Sequence, residues 1–309
     1  MDNFPSIFND VIGPVMRGPS SSHCAASQRI GKLCRDLMDG NITNILVEFD
    51  PNGSVADTHT GQGSDMGLFG GFLGWEADDE RLPESKYDIA EAGIKVQFAV
   101  RDINAKHLNT YHITLSNPGE TRTVTAISTG GGMIEIIAID GVEVSMMGDF
   151  YETLIYCKTP GRILELINKE MSYDHVIVHD GNPIFIEIKA QLFPNESLQI
   201  KLSSMDDVIS IKKLGPVLPV LSRKDIKVPF TTCNEMLEYN KNRNLSLLDL
   251  AILYESERGN ISEEEIFGKM RKIVRIIKDS IKSGLQGTHY VDRLLGSQSV
   301  NFKNELQNK

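Results

Sequence analysis

The stretch Arg17–Gly31, RGPSSSHCAASQRIG, sets three serines and a histidine at the mouth of an amphipathic helix. The first-turn N–H groups of a helix have no partner within it, and the dipole makes that end favourable to anions. Ser20, Ser21 and Ser22 add hydroxyls that can turn toward a carboxylate or phosphate. His23 adds a group that donates, accepts or titrates near neutrality. The pattern reads as a pocket for a small anion with an acid/base residue attached. The alternative is one serine as N-cap with the others solvated.

Three further clusters could do chemistry. Gly61, Gln62, Gly63, Ser64 and Asp65 place flexible and small polar residues ahead of a second helix, where a ligand can approach the backbone closely. Ser64 or Asp65 acting only as an N-cap is the alternative. Gly130, Gly131 and Gly132 lie between two strands and could cradle an anion or form a tight bend. His107 and Asn109 precede a strand in KHLNT. His59 reads as a surface loop residue, and His112, His175 and His179 as structural. Cys24 reads as a small buried side chain and Trp75 as core.

The elements that must position these residues form a mixed α/β protein. Apolar residues at helical spacing predict a helix over about 24–38, and a Gly-rich one follows at 64–75. Strands are expected at 44–49, 94–100, 110–116, 121–127, 133–139 and 142–147, with turns at Asn117–Gly119 and Asp140-Gly141. These make a first domain over 1–147. A smaller βαββ unit with one more αβ step is expected over 148–215. It comprises a strand at 150–157, a helix at 160–171 with Pro at its first position, strands at 175–179 and 183–190, and another strand at 198–202. A proline-bearing linker, 216–230, leads to a helical segment over 231–309. That segment has helices near 232–241 and 245–257, then a long helix. The long helix opens with a capping box at Ser262–Glu265 and stops at Gly284, and a polar tail follows from 286. Its stripe of Ile266, Met270, Ile273, Ile277 and Ile281 requires cover, from this chain or from a partner.

Composition narrows the function classes. The chain has 309 residues and a net charge of −10, which argues against nucleic acid or an anionic membrane surface as partner. The N-terminus lacks the pattern of a secretory signal, and no run is apolar enough to span a bilayer, so a cytoplasmic protein is expected. The four cysteines, Cys24, Cys34, Cys157 and Cys233, are scattered, which suggests neither a disulfide framework nor a self-contained metal site.

Taken together and in order, IGPVMRGPSSSH, then TGQGSD, then H-x-N-T, then S-x-GGG-x-I resemble the β domain of iron–sulfur-dependent L-serine dehydratases (L-serine ammonia-lyases). The 148–215 unit sits where some members carry an ACT-type domain. Residues from about 230, notably LSLLDLAILYE and KSGLQG, are similar to the start of the family's α domain. The resemblance implies β-elimination of water from L-serine or a related hydroxy amino acid, giving a 2-keto acid and ammonia. It implies that Ser20, Ser21, Ser22 and His23 hold the substrate and that the loops at Gly61–Asp65 and Gly130–Gly132 close over it. His107 and Asn109 would join them, with His23 and His107 as catalytic residues. It also implies a [4Fe–4S] cluster as the Lewis acid that takes the hydroxyl. The cluster's ligands are expected on a cysteine-bearing α-type partner, so the protein is expected to be an oligomer. Gln62 departs from the family pattern, standing where a histidine is usual, and it cannot transfer a proton in the same way.

Two other readings stay open. A pyridoxal phosphate-dependent elimination would use Gly130–Gly132 for the phosphate and requires a Schiff-base lysine, which nothing marks. A non-catalytic amino-acid-binding or regulatory protein of the same fold would need no cluster at all.

Overall fold

The structure is a computed structural model that describes residues 4–287 and 298–307, and the chain divides into two compact units, Met1–Ile226 and Lys227–Lys309. Residues 1–3 of the N-terminus and 288–297 and 308–309 of the expected polar tail lie outside the described residues.

The first unit begins with a π-helical turn at Ile7–Val11. Then come α1 (Ser21–Leu37), β1 (Asn44–Phe49), α2 (His59–Gln62), α3 (Ser64–Phe72), a 3-10 turn (Leu82–Glu84) and α4 (Ser85–Glu91). Strands β2 (Lys95–Val100), β3 (Thr110–Ser116), β4 (Thr121–Gly130), β5 (Met133–Ile139) and β6 (Val142–Met146) complete a six-stranded sheet of order β2-β1-β3-β4-β5-β6. Only the β1–β2 pair is parallel, because the helices between those strands make the crossover that parallel pairing needs. Alternation puts Ile45, Val47, Tyr111, Ile113, Leu115, Val124 and Ala126 on one face. There they pack against Ile30, Leu33 and Leu37 of α1 and Leu68 and Phe72 of α3.

A second sheet follows in the same unit, from β7 (Tyr151–Cys157), α5 (Gly161–Glu170), β8 (His175–His179), β9 (Ile184–Ala190), α6 (Glu196–Ser203) and β10 (Val208–Leu214), in the order β10-β7-β9-β8. One face receives Ile163 and Ile167 of α5 and Leu198 and Leu202 of α6. The opposite face contributes Leu154, Tyr156, Phe185 and Leu214 to the core of the first sheet, so β7 is buried on both sides.

Several expectations are corrected. Residues 198–202 are helical, because Asn195 caps α6 by accepting from Leu198 N at 2.9 Å and the apolar pair Leu198/Leu202 is spaced for a helix face. The last αβ step is completed instead by β10. Pro160 is the N-cap of α5 rather than its first residue. Helix α1 starts at Ser21, so the serines are its first turn rather than its approach. The first half of the expected linker is strapped down: Val217 and Leu218 N–H groups donate to the Gly148 carbonyl at 2.8 and 3.1 Å, and Asn9 bonds both ways with Val220. His59 joins an aromatic cluster, stacked on Phe98 at 5.0 Å and tilted against Phe49 at 5.1 Å between ring centroids. Trp75 is half-buried beneath the Arg81 guanidinium, 4.3 Å from the ring centroid, rather than in the core.

The second unit holds α7 (Cys233–Asn240), α8 (Leu247–Gly259), α9 (Glu263–Gln286) and α10 (Gln298–Gln307). Ser262 caps α9 by accepting from Glu265 N, while the reciprocal capping box forms at Ser246 and Asp249. Helix α9 continues through Gly284 to a C-cap at Gly287, and α10 occupies part of the expected polar tail. On α9, Ile266 is buried, whereas Ile277 and Ile281 are exposed. Among the described residues, no helix is long and apolar enough to cross a membrane.

Candidate functional site

Helices α1 and α3 cross at backbone contact. A Cβ on Gly67 would stand 2.1 Å from the Cys24 carbonyl oxygen, and one on Gly71 would stand 2.2 Å from that of Gln28. Neither position has room for a side chain. Because Cys24 faces Gly67 and Gln28 faces Gly71, the helices run parallel and their N-termini open at the same end. A direct bond ties the two mouths together: Ser20 N donates to the Gln62 carbonyl at 3.2 Å.

The mouth of α1 is not closed by a side chain. Ser20 occupies the N-cap of α1, yet its hydroxyl makes no capping bond and lies instead 2.8 Å from His23 Nδ1. The backbone of His23 is held in turn, its carbonyl accepting from Ser27 Oγ at 2.8 Å. The amides of Ser21, Ser22 and His23 thus face outward, and the hydroxyls of Ser21 and Ser22 make no bond within the described structure. Gly63, the N-cap of α3, supplies no side chain either. The α1 dipole with its unpaired first-turn amides makes a positive field, whereas the first turn of α3 already holds the Asp65 carboxylate.

The other predicted residues join this corner to different extents. Gln62 is half-buried, and its Oε1 is buried without a hydrogen-bond partner. Ser64 is fully buried and accepts from the Tyr111 hydroxyl at 3.4 Å, while Asp65 Oδ1 accepts from Met66 N at 2.8 Å. Gly61 is exposed. The three glycines of the β4–β5 turn have φ of 103°, 61° and 83°, left-handed values that favour glycine. The last of them, Gly132, lies against α1, where its carbonyl accepts from Arg29 Nη1.

Asn109 links two strands' ends: its Oδ1 accepts from Ser54 Oγ, its carbonyl from Ser128 N at 3.0 Å, and its Nδ2 donates to the Ser128 carbonyl at 3.5 Å. His107 is held within its own loop, with Nδ1 accepting from Asn109 N at 3.1 Å. None of its hydrogen bonds reaches Ser20–His23. Cys24 is fully buried, and burial pushes its thiol up to about 11, so it stays protonated near neutrality. Arg29, Tyr111 and Ser54 were not predicted. The signal for Arg29 is a charge beside the apolar stripe of Ala26, Ile30 and Leu33.

The fold and this corner together define a two-sheet α/β protein that presents the uncapped mouth of α1 beside the start of α3. The chain is 42% identical over 153 residues to a probable L-serine dehydratase, beta chain, of Bacillus subtilis (strain 168), covering 49% of this chain and 68% of that protein. It is 36% identical over 148 residues to the L-serine dehydratase, beta chain, of Peptoniphilus asaccharolyticus, covering 47% of this chain and 66% of that protein. No protein-family model matches the chain. On the first of these relationships the chain belongs to the L-serine dehydratase beta-chain family.

Proposed function

We propose that the chain is a component of a lyase that deaminates L-serine, or a related hydroxy amino acid, to a 2-keto acid and ammonia. In such an elimination the Cα–H electron pair becomes a Cα–Cβ double bond while the hydroxyl leaves as water. The resulting enamine tautomerises and hydrolyses. The observation that carries the reading is the open mouth of α1, joined to the start of α3 through Ser20 and Gln62. The amides of Ser21–His23 and the hydroxyls of Ser21 and Ser22 receive the carboxylate. The buried, unpartnered Gln62 Oε1 is the acceptor for a hydrogen bond donated by the substrate's ammonium or hydroxyl. His23, oriented by Ser20, handles the proton. The Gly130–Gly132 turn and the Gly61–Asp65 loop flank the ligand, with Asn109 bracing the strand ends. Acid/base work is assigned to His23, with His107, whose ring is fixed by Asn109 N at Nδ1, as the second candidate through its Nε2.

Hydroxide leaves poorly, and the [4Fe–4S] cluster implied by the family resemblance would supply the Lewis acid. This chain's residues do not fit that cluster. Among the described residues no three His, Cys, Asp or Glu stand together to hold a metal, and Cys24, Cys34 and Cys157 are buried while Cys233 is exposed. We assign the cluster ligands to a cysteine-bearing α-type subunit, which also covers the exposed Ile277 and Ile281 of α9. The 148–215 sheet is assigned as an ACT-like module and the location as cytoplasmic, in keeping with four free cysteines.

The test is keto-acid formation from L-serine after anaerobic iron–sulfur reconstitution, with and without the α-type subunit. Turnover that needs both chains supports the proposal; a chain that neither recruits such a subunit nor binds L-serine overturns it. Gln62, which carries no transferable proton, favours a second reading as a regulatory amino-acid binder. Binding without turnover under every condition selects that one.

A further inference from the structure

Arg29 lies two turns into α1 with 2% of its surface exposed. Its Nη1 donates to the Gly132 carbonyl, and no carboxylate among the described residues pairs with it. The carboxylate that acts on it from a distance, Glu76, is itself bound by Lys32. Burial lowers the guanidinium to about 10, which leaves it charged near neutrality. An uncompensated buried cation is costly, and folds rarely keep one without an anion to meet it. Arg29 is also placed to matter. A Cβ on Gly132 would stand 3.2 Å from Arg29 Nη1 and 3.4 Å from the Cβ of Ala25, two residues beyond His23. The glycine turn therefore rests on α1 just below its open mouth, and Arg29 is the charged group that fastens it.

We propose that Arg29 is a positioning residue for carboxylate recognition. It clamps the Gly130–Gly132 turn against α1, and the carboxylate of the bound amino acid balances its charge across the poorly solvated interior. The inference rests on the α1 mouth being the carboxylate pocket. It adds that the pocket's preference for a charged ligand comes from a residue that does not touch it. Inside a protein a fixed cation acts over several ångströms with little screening.

The test is calorimetric titration of the full chain with L-serine and with L-serinamide, whose ammonium and hydroxyl match but whose carboxylate is replaced by a neutral amide. Wild type, Arg29→Gln and Arg29→Lys are compared. Arg29→Gln, which keeps a donor for Gly132 but loses the charge, should weaken L-serine about tenfold or more while changing L-serinamide by less than about threefold. Arg29→Lys should retain the wild-type preference for L-serine. Equal weakening of both ligands by Arg29→Gln means a structural clamp only and overturns the proposal. So does an unchanged L-serine affinity, or loss of the preference in Arg29→Lys, an arm that stands even if Arg29→Gln does not fold. Failure of the wild-type chain to bind L-serine at all refutes the pocket itself, a result distinct from these.

Discussion

The hydroxyl of Ser20 stands 2.8 Å from Nδ1 of His23, one turn along α1. A serine at an N-cap ordinarily accepts from the second or third amide of its helix. Here that hydroxyl is diverted to the imidazole, which orients the ring and leaves the first-turn amides to an outside anion. If the account is right, His23→Ala lowers kcat/KM for keto-acid formation by about 100-fold or more, and Ser20→Ala by about tenfold. Thermal melts of both variants should match wild type. Loss in the melts rather than in the kinetics would assign the pair to folding.

Gln62 Oε1 is buried with no partner. Removing an unsatisfied buried acceptor relieves the ligand-free protein while depriving the ligand of a bond. Gln62→Leu should therefore keep or raise the melting temperature and weaken L-serine binding by about tenfold. A lower melting temperature with unchanged binding would show that Gln62 is structural.

The α1–α3 crossing admits no side chain at Gly67 or Gly71. Gly67→Ala and Gly71→Ala should each cost more than about 2 kcal/mol in urea unfolding, because the nearest atoms are backbone and cannot give way. Gly61→Ala meets nothing within 4 Å and should leave stability nearly unchanged.

Glu152 of β7 lies 3.4 Å from Lys189, which Glu187 also claims at 3.1 Å. Burial is the largest influence on Glu152 and raises its carboxyl well above the ordinary 4.5. The folded form then keeps a proton that the unfolded chain releases near 4.5, so stability falls as pH rises from there through the raised value. Glu152→Gln removes that penalty. Its urea midpoint should match wild type near pH 4 and exceed it near pH 8. A variant weakened equally at both values would contradict this.

The sheet strands were legible because alternation and turn residues such as Asp140-Gly141 are local signals. Helix α6 was not, since LQIKL alternates over five residues and only the cap at Asn195 betrays a helix. Ser20–His23 and Gly61–Asp65 could each be read as helix entries. Their adjacency could not, because it depends on Gly67 and Gly71 meeting α1 some 43 residues away in sequence, a tertiary contact. The packing of His59 against Phe49 and Phe98 and the Arg29–Gly132 bond were hidden for the same reason.

The most direct test is a crystal structure of the chain with L-serine. The account predicts the ligand's carboxylate within hydrogen-bonding distance of the Ser21–His23 amides, with its ammonium or hydroxyl on Gln62 Oε1. A ligand bound elsewhere, or one turning its carboxylate away from the α1 mouth, would contradict it.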